Sequence, residues 1–283
     1  MIRFILLMSL LVSSLCNGED PSDVESLLGK DNLVAWCIVP FDAKKRGPEA
    51  RATMLANLGI KRCAYDWRQE HVPEFEAEIV AYKKHGIEFT AFWSTHDSAF
   101  QLFQKHQLKP TIWQTLRSPK VEGQQPKVEA AVHTLLPLVE RTRSMGSKLG
   151  LYNHGGWGGT PENLVAVCNH LKTKHNARHV GIIYNFHHGH DDIEGFASKF
   201  TKMLPYLHCV NLNGMRSAAD LAKDAKAKII PIGTGDHEAA MINIILQSGY
   251  DGPIGILDHL SNQDAKVSLQ NNLAGLEKLK AEL

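Results

Sequence analysis

The stretch VPEFEAEIVAYKKHGIEFTAFW, residues 72–93, switches its hydrophobic period part-way along. Val72, Phe75, Ile79 and Tyr82 recur at three- and four-residue spacing, which puts them on one face of a helix. Lys83, Lys84 and His85 form a basic last turn that suits the negative end of the helix dipole, and Gly86 supplies a left-handed stop. Glu88–Trp93 then reads as a short strand rich in aromatic residues. A helix that halts on glycine just ahead of an apolar strand is half of an α/β unit. Whether that unit repeats decides the fold.

It repeats. β-type runs occur at LVAWCIV (33–39), KRCAY (61–65), EFTAFW (88–93) and KPTIWQ (109–114). Four more follow at KLGLY (148–152), HVGIIY (179–184), HCVNL (208–212) and PIGILD (253–258). Amphipathic stretches separate them: Val128, Val132, Leu135 and Val139 share a helical face, as do Leu164, Cys168 and Leu171. Thr160-Pro161-Glu162 reads as an N-cap followed by proline at the first helical position. Eight strands alternating with helices predict a single α/β domain, a (β/α)8 TIM barrel over residues 31–283. An open doubly wound sheet is the lesser alternative, because the first strand ends in VPFDAKKRG with no glycine-rich phosphate turn. The third and seventh connections look short or irregular, which predicts an uneven barrel there.

Residues 1–18 stand apart. Arg3 followed by FILLMSLLVSSL and the small residues Cys16 and Gly18 reads as a signal peptide, hence an exported chain. Lipid attachment at Cys16 is the weaker alternative, since Leu15 is bulky. Residues 19–30 read as a polar lead-in. No second run approaches the roughly 20 apolar residues a membrane span requires. Lys plus Arg (31) balances Asp plus Glu (30) without long runs of one sign, so nothing points to nucleic acid or acidic lipid. Cys37, Cys63, Cys168 and Cys209 are scattered and read as buried free thiols, with a Cys37–Cys63 link open if their strands are neighbours.

In a barrel of this kind chemistry gathers where strands end at the C-terminal face. Those ends here supply Asp66, Arg68, Trp93, Gln114, Asn153, His154, Trp157, Asn185, His188, His190, Asn211, Asn213, Asp258 and His259. Amides, imidazoles and carboxylates beside aromatic faces suit a polyhydroxylated ligand. Loops are polar anyway, so His187, His190 and His96 read first as surface residues, and Trp93 or Trp113 as barrel filling. His154 in LGLYNHGGW and His188 in VGIIYNFHHGH follow apolar strands closely enough to be aimed into one pocket.

With LGLYNHGGW, VGIIYNFHHGH, CVNLNG, IIPIGTGD and GYDGPIGILDH, the chain resembles the xylose-isomerase-like barrel superfamily, which includes sugar phosphate isomerases and epimerases and an endonuclease branch. The resemblance spans about residues 31–283. It implies a divalent ion held by Glu, Asp, His and Glu at the ends of strands five to eight. Those places are held here by Tyr152, Asn185, Asn211 and Leu257, or by Asp258 if the register slips by one. Neutral amides are poor ligands for Mg²⁺ or Mn²⁺. The expected cofactor is therefore none, with a nonstandard Zn²⁺ at His154, His188 and His190 as the alternative. The implied activity is proton transfer next to a carbonyl of a non-phosphorylated sugar or keto-sugar, as an isomerase, an epimerase or a keto-glycoside lyase. His154 and His188 would serve as base and acid, Asp258 would orient an imidazole, and the asparagines would donate to the oxyanion. A noncatalytic carbohydrate-binding protein on a degenerate barrel is the alternative. The endonuclease reading ranks below both, lacking a metal set and a basic face.

Overall fold

The computed structural model describes residues 21–283, so the expected signal peptide and the first part of the lead-in lie outside it. Eight parallel strands close in sequence order into a barrel. They are β1 (Leu33–Trp36), β2 (Arg62–Tyr65), β3 (Glu88–Trp93), β4 (Thr111–Thr115), β5 (Leu149–Tyr152), β6 (Val180–Asn185), β7 (Leu207–Leu212) and β8 (Ile254–Leu257). Helices α1 (Pro21–Leu28), α2 (Pro48–Leu58), α3 (Phe75–His85), α4 (Asp97–Lys105) and α5 (Gln124–Met145) make up the first half of the outer ring. The ring continues with α6 (Pro161–His175), α7 (Phe196–Met203), α8 (Ala218–Lys223), α9 (Glu238–Gln247) and α10 (Ala265–Lys280). Each apolar run of the sequence is a strand. The first stops short of its expected end because Cys37 takes a left-handed φ of 62° and leaves the ladder.

Strand alternation sorts the core into two sets. Val34, Trp36, Ala64, Ala91, Trp113, Tyr152, Ile183, Cys209 and Leu257 fill the barrel, while the alternate residues pack under the helices. Bulky fillers need small neighbours. A Cβ on Gly150 would sit 2.4 Å from Ile183 Cγ1, and one on Gly255 would sit 1.7 Å from Asn211 Oδ1.

Two expectations need correction. The lead-in is not merely polar: Val24, Leu27 and Leu28, at helical spacing, are buried in α1 against the last helices. The third connection is regular, since His96 caps α4 by accepting from the Ser98 amide at 3.2 Å. The seventh is broken, as expected: α8 and a 3₁₀ turn at Ala225–Lys228 precede α9, tied by a bridge between Gly214 and Ile230. The four cysteines are buried and free. Cys37 faces the barrel interior and Cys63 its outside, where it receives a hydrogen bond from the Tyr82 hydroxyl at 3.1 Å. No helix among the described residues is long and apolar enough to cross a membrane.

Candidate active site

A cavity of about 280 Å³ opens at the C-terminal ends of the strands. β2 delivers Asp66 and Arg68 to it, β3 Trp93, β5 Tyr152 and His154, β6 His187 and His188, the β7 loop Lys228 and Ile229, and β8 His259. The β6 turn explains the imidazoles. Phe186 is drawn outward against Phe196, 5.6 Å ring to ring, and the tight turn Phe186–His188 then swings the next two side chains over the barrel mouth. Ring centroids lie 3.6 Å apart for His187–His188, 4.5 Å for His188–His154 and 5.6 Å for His187–His259. His154 stands at the exposed rim and Trp93 closes the wall behind it, its ring 4.7 Å from Tyr152.

Burial sets the electrostatics. Asp66 is 2% exposed, and neither carboxylate oxygen has a hydrogen-bond partner among the described residues. Desolvation pushes its carboxyl up to about 7, although Arg68 and, more weakly, the approaching backbone of Val39 and of Asp66 itself pull the other way. Burial, then the neighbouring His154 and Lys228, lower His188 to about 3. Burial and Arg68 lower His259 to about 4, and burial with His188 drives His187 lower still. His187, His188 and His259 are therefore neutral near pH 7, while Asp66 titrates there. Two buried ring atoms, His187 Nδ1 and His188 Nε2, also lack partners among the described residues.

Six expected site residues line this cavity: His154, His188, Asp66, Arg68, Trp93 and His259. Others are placed elsewhere, for definite reasons. Asn153 bridges two strand ends: its Nδ2 donates to Asn185 O at 3.1 Å and its Oδ1 accepts from Asn185 N at 2.8 Å. Asn185 Nδ2 donates to the Tyr152 hydroxyl. Asn211 lies within the barrel, where its Oδ1 accepts from the Cys209 thiol at 3.6 Å. Asn213 Nδ2 donates to Gly214 O at 2.8 Å. No asparagine therefore lines the cavity as an oxyanion donor.

Gln114 belongs to a separate cavity of about 750 Å³ beside the β4 loop and α5, and Trp157 donates outward to Gln124 Oε1 at 2.9 Å. His190 is buried rather than on the surface, as is His187. The two His190 ring nitrogens face Arg216 O at 2.8 Å and Lys228 O at 3.0 Å, which fastens the β7 loop. Asp258 does not orient an imidazole. Leu257 takes the inward place, paired with Trp36, so Asp258 falls on the opposite face toward Ser268 of α10, where burial pushes it up to about 7. Sequence reasoning missed Lys228, whose segment AKAKII carries no signal of its own.

No family model matches the chain, and no curated protein matches it in sequence. Solved structures match along nearly its whole length. A 3-keto-D-glucoside 4-epimerase from E. coli superposes with a TM-score of 0.60 at 13% identity, covering 89% of this chain and 99% of that one. An IolI protein with a bound zinc atom gives 0.67 at 12% identity, covering 89% and 98%. A xylose isomerase domain protein from Planctomyces limnophilus gives 0.64 at 15% identity, covering 90% and 99%. The chain shares the (β/α)8 TIM-barrel fold of these structures.

The resemblance read in the sequence implies an ion cradle at the ends of β5 to β8. Here the Tyr152 ring fills that space, its hydroxyl accepting from Trp36 Nε1 at 3.3 Å and from Asn185 Nδ2. Leu257 and Asn211 face the same interior. Among the described residues no three His, Cys, Asp or Glu side chains stand together as ligands for an ion. The alternative zinc set of His154, His188 and His190 is not assembled, because both His190 nitrogens are taken by backbone carbonyls. Tyr152, Asn185, Asn211 and Leu257 at the cradle positions offer a divalent ion no carboxylate or imidazole.

Proposed function

We propose that the cavity performs metal-independent proton transfer next to a carbonyl of a non-phosphorylated sugar or keto-sugar. The observation that carries this reading is a buried carboxyl, Asp66, held near neutrality and lining the same cavity as an imidazole pair. A general acid–base is most effective when its pKa is close to the working pH, since both protonation states are then populated. Asp66 takes the proton from the carbon adjoining the carbonyl. The developing enolate oxygen is met by ring N–H donors of His154 or His188, inside a partly desolvated site. Return of the proton to the other face gives epimerisation, and return to the neighbouring carbon gives isomerisation. Loss of a leaving group from the β-carbon gives elimination, the keto-glycoside lyase variant. Aromatic faces at Trp93 and Tyr152 suit the C–H face of a sugar ring. The export signal read in residues 1–18 favours free sugars over cytosolic sugar phosphates.

A second reading, a noncatalytic carbohydrate-binding protein, draws its support from the neutral residues Tyr152, Asn185, Asn211 and Leu257 at the cradle positions. Solvent-deuterium wash-in separates the two. Incubated in D₂O with a panel of aldoses, ketoses and 3-keto sugars, an enzyme labels the carbon next to the carbonyl of its substrate, and Asp66→Asn abolishes the labelling. A ligand that binds and is never labelled decides for the binding protein.

A further inference from the structure

We propose that the ligand of this cavity carries a carboxylate, so that its substrate class is a uronate or related sugar acid rather than a neutral sugar. The inference rests on the proton-transfer reading of the same cavity and concerns charge, which that reading leaves open. Two cations line the cavity from different loops, Arg68 after β2 and Lys228 after β7, and neither forms an ion pair with a described residue. Both are held. Arg68 donates through Nη1 to Trp67 O at 2.7 Å, and its guanidinium lies 5.3 Å from the centre of the Phe41 ring. The carbonyl of Lys228 is tied to the His190 ring at 3.0 Å.

Among the described residues the only acid lining the cavity is Asp66, whose buried carboxyl cannot balance two positive charges. The imbalance reaches the neighbouring rings: Lys228 adds to the lowering of His187 and His188, and Arg68 adds to that of His259. A cleft whose mouth carries uncompensated positive charge concentrates anions, and a guanidinium matches a carboxylate in a two-bond fork. Phosphate is the weaker match, because such sites are commonly built from backbone amides of glycine-rich turns and no glycine among the described residues lines this cavity.

Calorimetric titration of the full chain tests the proposal with glucuronate and galacturonate against glucose, galactose and glucose 6-phosphate. Uronates are expected to bind roughly tenfold or more tightly than their neutral twins, with the gap closing in 0.5 M salt and in an Arg68→Met, Lys228→Met double variant. Equal affinity for neutral sugars, a uronate preference that survives in the double variant, tighter binding of the phosphate, or no uronate binding at millimolar concentration each overturns it. Uronates that bind without deuterium wash-in sink the proton-transfer reading and leave this one standing. Neutral sugars that are labelled and bind as well as uronates do the reverse.

Discussion

The imidazoles of His154 and His188 stand 4.5 Å apart, ring centre to ring centre, although one follows β5 and the other follows β6. Parallel pairing of these strands, with Tyr152 opposite Ile183, brings the two loops to the same side of the barrel mouth. Acting on one ligand, the pair contributes to turnover more than to affinity. A His154→Ala, His188→Ala double variant is expected to lose about 10²–10⁴-fold in turnover while ligand affinity changes only modestly. Parallel kinetics and calorimetry check this, and unchanged turnover would remove the imidazoles from the mechanism.

Asp66 has a distinct pH signature. The rate profile is expected to show an inflection near 7, where this carboxyl changes protonation state, and Asp66→Asn should flatten it. The same substitution affects stability. A folded-state pKa of about 7, above the unfolded value, means that folding loses free energy as pH rises from about 4 through 7. At pH 8 the cost of the buried charge is on the order of 4 kcal/mol at most, so Asp66→Asn should melt higher there than the wild type. A lower melting temperature at pH 8 would show that the carboxylate is stabilised rather than desolvated.

Acid sensitivity follows from the imidazoles. His187, His188, His208 and His259 are all lowered, first by burial. Their stabilising contribution is present above the unfolded value near 6.5 and is lost as pH falls toward 4. Asp66 and Asp258 oppose this slope over the same range, but four imidazoles outnumber two carboxyls. The melting temperature is therefore expected to fall between pH 7 and pH 5. Scanning calorimetry across that interval checks it, and a rise would contradict the buried neutral histidines.

Asn153 is a structural strut. Its amide replaces a rung of the ladder beyond the last paired residues of β5 and β6. Asn153→Ala leaves a buried N–H and a buried carbonyl of Asn185 unpaired, a cost of about 2–4 kcal/mol. Chemical denaturation measures it. A loss of ligand affinity with no loss of stability would return Asn153 to the binding site.

The barrel was legible because each strand run is apolar and bounded by punctuation such as Gly86 or Thr160-Pro161, features set locally. The site was legible in part. His154, His188, Asp66, Arg68, Trp93 and His259 reach the cavity because strand framing places them there. Asp258 misled because one residue of register inverts a side chain's face, and Leu257 against Trp36 settles that register only through pairing with β1. The asparagines misled for another reason. Their residue type suits a sugar, yet buried strand ends need backbone partners first, and Asn153 and Asn213 supply that need, while Asn185 donates to the Tyr152 hydroxyl. Lys228 arrives from the broken seventh connection, whose path depends on the His190 tether.

Metal content and turnover, measured on one sample, test the central claim most directly. Protein dialysed against a strong chelator and assayed for deuterium wash-in should hold well below one equivalent of any divalent ion and label its substrate at the rate of the untreated protein. A stoichiometric ion in the purified chain, with labelling lost on chelation and restored by Mn²⁺ or Zn²⁺, would contradict an acid–base site built from Asp66 and two imidazoles alone.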